Sequence, residues 1–215
     1  MYNILNKNEK ILSHIHTESH IMQNKLSVIG LLLSTLTIST TFANEVVIIS
    51  IDNITVVINK SSSSESTYLD AINKARASTQ DCGKYGKMPP VPALKWNEEL
   101  TFAAKIHSND LAESNTFSHT GSGKSSDAVA ELDHPGTGST LKERIEYAGY
   151  TEWSYIGENI AAGYNTTQEV IAAWISSPGH CINLMKEEFT EVGMTRVDNT
   201  SSKYKSYWTQ DFGKR

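Results

Sequence analysis

The chain has 215 residues, a formal net charge of −5 at pH 7 and 39% hydrophobic residues, including four Trp and nine Tyr. This length and apolar content predict one packed domain plus processing segments. The negative charge argues against a nucleic-acid-binding protein, because such proteins neutralise phosphates with a basic face. Outside the N-terminal region, no stretch is long and apolar enough to span a membrane.

Residues 1–43 have the pattern of a secretory signal peptide. Lys25 precedes an apolar run from Leu26 to Ile38, and the small residues Thr41 and Ala43 stand at the two positions that a signal peptidase reads. We therefore expect cleavage after Ala43 and a secreted protein, either periplasmic or extracellular.

Met22 can open this signal by itself, so residues 1–21 are either an over-long start or an extended N-terminal region. The three histidines of that region lie in a segment that processing removes, and we do not take them as a metal site. Without residues 1–43 the chain has 16 basic and 22 acidic residues, a formal charge of −6.

Residues 44–66 form an N-terminal segment and a serine-rich linker ahead of the main domain, residues 67–215. Glu45 to Lys60 is rich in β-branched residues around a central Asp-Asn pair, which predicts two short paired strands. Ser61 to Ser64 is a polar linker.

Capping patterns and apolar spacing predict four helices in the main domain. Three of them begin with a capping box, a Thr followed three residues later by Asp or Glu. The predicted helices run from Thr67 to Ala77, from Asn97 to about Glu113, from Thr140 to Gly149, and from Thr166 to the Ser177-Pro178 pair.

The second helix carries an apolar stripe at the spacing of one helix face. The stripe consists of Leu100, Ala103, Ala104, His107 and Leu111.

Strands are predicted late in the chain, at Val192 to Val197 and Tyr204 to Phe212. Residues 82–92 and 116–138 are predicted to be loops. Because helices come first and strands last, the order does not suit regular β-α-β alternation, and it predicts an α+β layer fold.

Four histidines lie in the main domain, and two of them are candidates for a functional site. His107, on the apolar stripe, is interpreted as a core histidine, and His134, before a proline in a Gly-rich loop, as solvated. His119 and His180 each stand at the boundary of an element in a short segment that contains Gly or Pro, where functional sites tend to lie.

Glu158 stands between Gly157 and Asn159, and the preceding glycine would let the backbone bend and aim the carboxylate inward. Two imidazoles and a carboxylate suit either a divalent metal with an open position or acid–base chemistry. No Gly-x-Ser-x-Gly motif is present, and adjacent Cys181 and His180 side chains would diverge, so nucleophilic catalysis is disfavoured.

Two cysteines, Cys82 and Cys181, remain in the chain. An even count in an exported protein predicts a disulfide. Two free buried thiols are the alternative.

Six segments of the main domain form an ordered set that resembles the CAP superfamily, also called SCP domains. This superfamily contains the cysteine-rich secretory, antigen-five and pathogenesis-related-one proteins. The resemblance covers roughly residues 67–214, and the Ser-Pro-Gly-His-Cys form is similar to the bacterial branch. The segments are Leu94-Lys95-Trp96-Asn97, Phe117-Ser118-His119-Thr120-Gly121, Gly157-Glu158-Asn159-Ile160-Ala161, Trp174 to Asn183, Glu191-Val192-Gly193-Met194, and Tyr207 to Gly213.

The resemblance implies an α-β-α sandwich with a central cleft that holds two histidines and two acidic residues, with zinc or another divalent cation in some members. His119, Glu158 and His180 match three of the four positions. The fourth position is Ser177 here, and Asp127 or Glu169 are the substitutes we consider. The resemblance also supports the Cys82–Cys181 disulfide.

The family does not define one activity, so three functions stay open. The first is a secreted binding protein for a small apolar ligand, such as a lipid or sterol, or for a protein partner, with a divalent metal in the pocket. The second is a metal-assisted hydrolase that acts on peptides or the cell envelope and uses Glu158 as a base. The third is an interaction domain in which the His and Glu residues form only a structural hub. The first expectation makes the protein a binder rather than an enzyme.

Overall fold

The computed structural model describes residues 36–41, 46–51, 54–59 and 64–215. The proposed start at Met22 and the cleavage position after Ala43 lie outside these residues. The chain divides into two compact units, residues 1–61 and 62–215, each described by itself.

The first unit contains a three-stranded antiparallel sheet in the order β1-β2-β3. Its strands are β1 (Leu36–Thr41), β2 (Val46–Ile51) and β3 (Ile54–Asn59). The two strands predicted within residues 45–60 are β2 and β3, which pair antiparallel from Ile51↔Ile54 to Val46↔Asn59.

The second unit combines a central sheet with helices. Its helices are α1 (Ser64–Arg76), α2 (Glu98–Ser114), α3 (Ala128–Asp133), α4 (Leu141–Tyr147), α5 (Thr167–Ser176) and α6 (Pro178–Leu184). Its strands are β4 (Gln80–Asp81), β5 (Lys87–Met88), β6 (Lys95–Trp96), β7 (Tyr155–Ala162), β8 (Glu191–Asp198) and β9 (Ser206–Lys214), and a 3₁₀ turn covers Gly83–Tyr85. No helix among the described residues is long and apolar enough to cross a membrane.

The four-stranded sheet has the order β6-β8-β9-β7, with β6 parallel to β8 and the other pairs antiparallel. β9 lies between β8 and β7 and is buried along nearly its whole length, because helices cover both faces of the sheet. Leu111 of α2 packs with Tyr207 on one face. Trp174 of α5 packs with Trp208 on the other face. The predicted α+β fold and its α-β-α layering are therefore confirmed.

The second helix approaches the sheet closely at Gly193. A Cβ atom at Gly193 would lie 2.1 Å from the backbone nitrogen of Thr101 and 2.3 Å from the carbonyl carbon of Leu100. Only glycine permits this distance between helix and strand. The contact seats α2, and with it His107, directly over β8 and β9.

The predicted helix starts are correct for α2, α4 and α5. Asn97 caps α2, and the capping boxes Thr140–Glu143 and Thr166–Glu169 open α4 and α5. The start at Thr67 is wrong, because α1 begins at Ser64 and Thr67 lies inside the helix. A Thr with an acidic residue three positions later also fits a helix that has already begun upstream. The pattern therefore did not locate the N-terminus of α1.

Helices α3 and α6 and strand β7, which bear on the site, are among the elements that the sequence did not predict. Helix α3 lies within the stretch predicted as the loop 116–138, and Asp127 caps it. Helix α6 follows α5 directly, with Pro178 at its first position, where a proline does not break a helix. Strand β7 contains Glu158, which was expected at a backbone bend.

The predicted disulfide joins Cys82 to Cys181. It ties the 3₁₀ turn after β4 to α6, and both cysteines are fully buried. The helix that carries His180 is thereby fixed to the first part of the domain.

Candidate functional site

Strand β7 positions Glu158, and Gly157 is required for packing rather than for a bend. A Cβ atom at Gly157 would lie 2.6 Å from the Phe189 ring and 2.7 Å from the Asn183 side-chain oxygen. Glu158 pairs with Asp211 of β9 across the sheet. The expectation of a glycine bend before Glu158 is therefore wrong, because the pleat of the strand already directs its side chain.

The Glu158 carboxylate has a partner on each oxygen. Oε1 lies 2.7 Å from Nδ1 of His119, and Oε2 accepts a hydrogen bond of 2.7 Å from Nη2 of Arg144. The Glu158 side chain is only 3% exposed. Burial favours the neutral acid, but the His119 hydrogen bond and the Arg144 charge more than offset it and hold the pKa of Glu158 below its usual value.

Arg144 is a site residue that the sequence did not reveal. It is fully buried, and besides Glu158 it donates to the carbonyl oxygens of Ser139 and His119. One guanidinium thus connects α4, the loop before it and β7. Its position beside Ile145, on the inward side of a short helix, was the only signal, and an arginine there is ordinarily expected at the surface.

His107 is a core histidine, as predicted, and it also lies beneath the site. Its Nε2 lies 3.0 Å from the Ser118 carbonyl oxygen and 3.8 Å from Oε2 of Glu158. Burial lowers the pKa of His107 to about 4, so the ring is neutral at pH 7 and Nε2–H donates to Ser118. Its contact with Glu158 is therefore not an ion pair.

Asp211 is a second buried acid that the sequence analysis did not single out. It is fully buried opposite Glu158, and neither of its oxygens has a hydrogen-bond partner at normal distance and angle within the described structure. Burial, followed by the adjacent Glu158 carboxylate, raises the pKa of Asp211 well above its usual value. Asp211 is therefore the neutral member of the pair, and Glu158 is the charged one.

His119 and His180 both line one pocket of about 460 Å³ beside Glu158. Their ring centroids lie 6.5 Å apart, and the His119 side chain is 57% exposed. Nδ1 of His180 lies 2.9 Å from Oγ of Ser177. Burial, and then the nearby His119, lower the pKa of His180. The other described lining residues are Asn159, Ser177, Gly179, Ile182, Asn183 and Lys186.

The remaining candidates lie away from this pocket. Asp127 accepts backbone hydrogen bonds from Ser139 and Ala130, and Glu169 completes the cap of α5. His134 is half-buried and contacts Glu143. Neither acidic substitute thus supplies a fourth member of the site.

A sequence model of the cysteine-rich secretory protein family (CAP) matches residues 69–212, which is more than half of the chain. The chain belongs to the cysteine-rich secretory protein family. The match contains His119, Arg144, Glu158, His180 and Asp211.

Two proteins of Bacillus subtilis (strain 168) are similar to this CAP chain. The uncharacterized protein YkwD is 30% identical over 119 residues, 55% of this chain and 38% of that protein. The uncharacterized membrane protein YlbC is 30% identical over 152 residues, 71% of this chain and 35% of that protein. The chain thus spans less than half the length of these relatives.

Two solved structures are also similar to the CAP chain. An outer surface protein from Borrelia burgdorferi has a TM-score of 0.49 and 21% identity, and the match covers 70% of this chain and 89% of that one. An extracellular protein containing an SCP domain from Bacillus anthracis has a TM-score of 0.48 and 26% identity, and the match covers 70% of this chain and 40% of that one. The family assignment depends on the sequence match, not on these likenesses.

The arrangement of this CAP site does not fit the predicted three-ligand metal centre. Both Glu158 oxygens are engaged, and no three His, Cys, Asp or Glu side chains in the described part of the chain are placed to share a metal ion. Two imidazoles on one tetrahedral zinc would hold their ring centroids ~5 Å apart, given zinc–nitrogen bonds of about 2.0 Å. The observed 6.5 Å between His119 and His180 is larger.

Proposed function

We propose that this CAP domain is an exported binding protein that takes a small polar ligand, or a polar group of a partner protein, in the pocket between His119 and His180. The observation that carries the proposal is the pocket itself, in which two imidazoles stand over a fixed, buried Glu158. Its volume is in the range of small-molecule sites. Ile182 is the one large apolar side chain among its described lining residues, so the lining favours a polar ligand over the lipid or sterol expected from the sequence.

The same contacts disfavour the hydrolase. A general base needs a free oxygen and a pKa near the working pH. Glu158 has Arg144 on one oxygen and His119 on the other, and its pKa is lowered. In this arrangement Glu158 orients His119 and does not accept a proton from a substrate.

A structural hub without a ligand is the second candidate, and Arg144 is the observation that favours it. Arg144 joins the Glu158 carboxylate to the carbonyl oxygens of Ser139 and His119, which is the geometry of a loop anchor. Under this hypothesis His119 and His180 serve stability alone.

A thermal-shift screen separates the two candidates. The Tm is measured for the purified protein and for the variants His119→Ala and His180→Ala. Each is heated with a library of amino acids, sugars, organic acids and phosphate esters. Separate samples contain zinc, a chelator, or cholesterol and phospholipid micelles. We expect a polar compound to raise the Tm of the unchanged protein and not of the two variants. No shift with any compound, together with a large loss of Tm in both variants, supports the hub and contradicts the proposal. Metal analysis of the same preparations tests the zinc predicted from the sequence.

Export is proposed from the signal pattern of residues 1–43 and supported by the disulfide, which persists in oxidising compartments. We expect the mature protein to begin at Asn44. Mass spectrometry of the N-terminal peptide, from protein recovered outside the cytoplasm, checks this. A protein that stays inside the cell and keeps residues 22–43 would contradict it.

A further inference from the structure

We infer that the ligand of this pocket carries an anionic oxygen group, a carboxylate or a phosphate, and that Lys186 together with the imidazoles of His119 and His180 binds it. The inference rests on the proposed function and names the chemical class of its ligand. Three features of the pocket carry it: the state of its one carboxylate, the position of Lys186, and the donors that remain available.

The pocket presents no free negative charge from its described lining. Among the described lining residues Glu158 is the only acidic one, and both of its oxygens are already bound by His119 and Arg144. The Arg144 guanidinium offsets the Glu158 charge from the buried side. Asp211, next to Glu158, is buried and does not line the pocket. An incoming anion therefore meets no unneutralised carboxylate.

Lys186 supplies a positive charge at the pocket. Lys186 is among the lining residues, and its Nζ lies 5.3 Å from the centroid of the Tyr155 ring and 5.5 Å from that of Phe189, within the range of a cation–π contact. In the described structure Lys186 has no ion pair with an acidic side chain. The acidic residues that follow it, Glu187 and Glu188, line a different cavity.

The polar groups that remain for a ligand suit an anion. Asn183 already donates its amide to the Glu158 carbonyl oxygen and to Asn159, so it has no free donor. Each imidazole uses Nδ1, towards Glu158 in His119 and towards Ser177 in His180, which leaves Nε2 of both rings. The Lys186 ammonium forms charge-assisted hydrogen bonds with carboxylate and phosphate oxygens, and an imidazole Nε2–H group can donate to the same oxygens.

The same groups disfavour a bound cation. Lys186 repels a metal ion, and the two imidazoles stand too far apart to share one as arranged. The pocket volume of about 460 Å³ exceeds that of an inorganic ion. The anionic group is therefore part of a small organic molecule or of the C-terminus of a peptide.

The test is an NMR titration of the His119 and His180 ring signals at constant ionic strength. The probes are inorganic phosphate, phenyl phosphate, an N-acetylated dipeptide with a free carboxylate, the same dipeptide as its amide, and choline as a cation. Lys186→Gln is compared with Lys214→Gln. Lys214 is the matched control, because its Nζ lies 5.9 Å from the same Tyr155 ring but the residue lines the other cavity.

We expect saturable shifts with at least one anionic probe and none with the amide or choline. Loss of one charged hydrogen bond predicts a Kd about tenfold higher in Lys186→Gln, and Lys214→Gln should match the unchanged protein. A phosphate ester that binds where the dipeptide acid does not identifies a phosphate ligand, and the reverse identifies a peptide C-terminus.

Two outcomes overturn the inference. One is binding of choline or the amide with the same affinity as the acid. The other is an equal increase in Kd for Lys186→Gln and Lys214→Gln, which would mean that the probes respond to the overall charge of the protein and not to Lys186. Both leave the proposed function intact if a polar compound from the thermal-shift screen still requires His119 and His180. If no compound in that screen requires them, the proposed function itself fails.

Discussion

Arg144 is a buried cation whose removal would leave the Glu158 charge with only its hydrogen bond to His119. Breaking a buried pair by removing one partner costs about 3–5 kcal/mol, because the remaining charge stays in a low-dielectric interior. We therefore expect Arg144→Met to lower the free energy of unfolding by about that amount, measured by urea titration.

The control for this prediction is Lys142→Met on the same helix. The Lys142 side chain is 61% exposed, and its ion pair with Glu146 is a surface pair, so its loss should cost less than about 1 kcal/mol. An equally small effect of Arg144→Met would show that Glu158 does not depend on the guanidinium.

Asp211 gives the stability of the protein a specific dependence on pH. Its pKa is raised by folding, so its contribution to stability is fully present below the pKa of the unfolded chain, about 3.9, and is lost as the pH rises towards the higher folded value. Asp211→Asn removes this loss, because the amide that replaces the carboxyl group has nearly the same shape and does not ionise. The difference in Tm between Asp211→Asn and the unchanged protein should therefore grow in favour of the variant as the pH rises from 4 to 7.

Thermal unfolding across that pH range checks the Asp211 prediction, with the exposed Asp70→Asn as the control. A Tm difference that is independent of pH would mean that Asp211 is ionised in the folded protein. A difference that shrinks with rising pH would reverse the assignment of charge between Asp211 and Glu158.

At the scale of elements, the close contact of α2 with β8 decides where the floor of the site lies. Because a Cβ atom at Gly193 would overlap the backbone of Leu100 and Thr101, and backbone cannot rotate away, Gly193→Ala must separate the helix from the sheet. We expect the free energy of unfolding to fall by about 1–3 kcal/mol, the usual cost of overpacking.

Chemical denaturation measures the loss of stability in Gly193→Ala, and Gly179→Ala is the control variant. A Cβ atom at Gly179 would have nothing within 4 Å, so that variant should change stability little. Separation of α2 should also move His107 from Ser118 and shift its ring signals. A Gly193→Ala protein with unchanged stability would mean that the helix can adjust without cost.

At the scale of the whole domain, the Cys82–Cys181 bridge closes a loop with a sequence separation of 99 residues. On the chain-entropy model a loop of this length is worth about 4–5 kcal/mol, mainly by restricting the unfolded chain. The double variant Cys82→Ser/Cys181→Ser should lose stability up to that amount. Urea unfolding of this variant, beside the unchanged protein with and without reductant, checks it. Equal stability of all forms would contradict a structural role.

The local features of the fold could be predicted from the sequence. The capping boxes at Thr140 and Thr166 and the apolar stripe of α2 each depend on residues within a few positions of one another, so spacing alone indicates them. The α+β layer fold could be predicted because helices come first in the domain and strands come last. The same local logic failed at Thr67, where the capping pattern lies inside a helix, and at α6, where Pro178 suggested an end and instead opens a new helix.

Sequence and tertiary structure determined different parts of the pocket that includes His119, Glu158 and His180. The sequence by itself indicated which three residues to consider, through nearby glycines and prolines and above all through the resemblance to the CAP superfamily, and it indicated the disulfide partners. Only the tertiary structure decided that Arg144 holds Glu158, that Asp211 stands opposite it on β9, and that Lys186 adds a charge. The physical reason is that strand register and helix packing join residues far apart in the chain, and no spacing along the sequence encodes which buried charge will neutralise which.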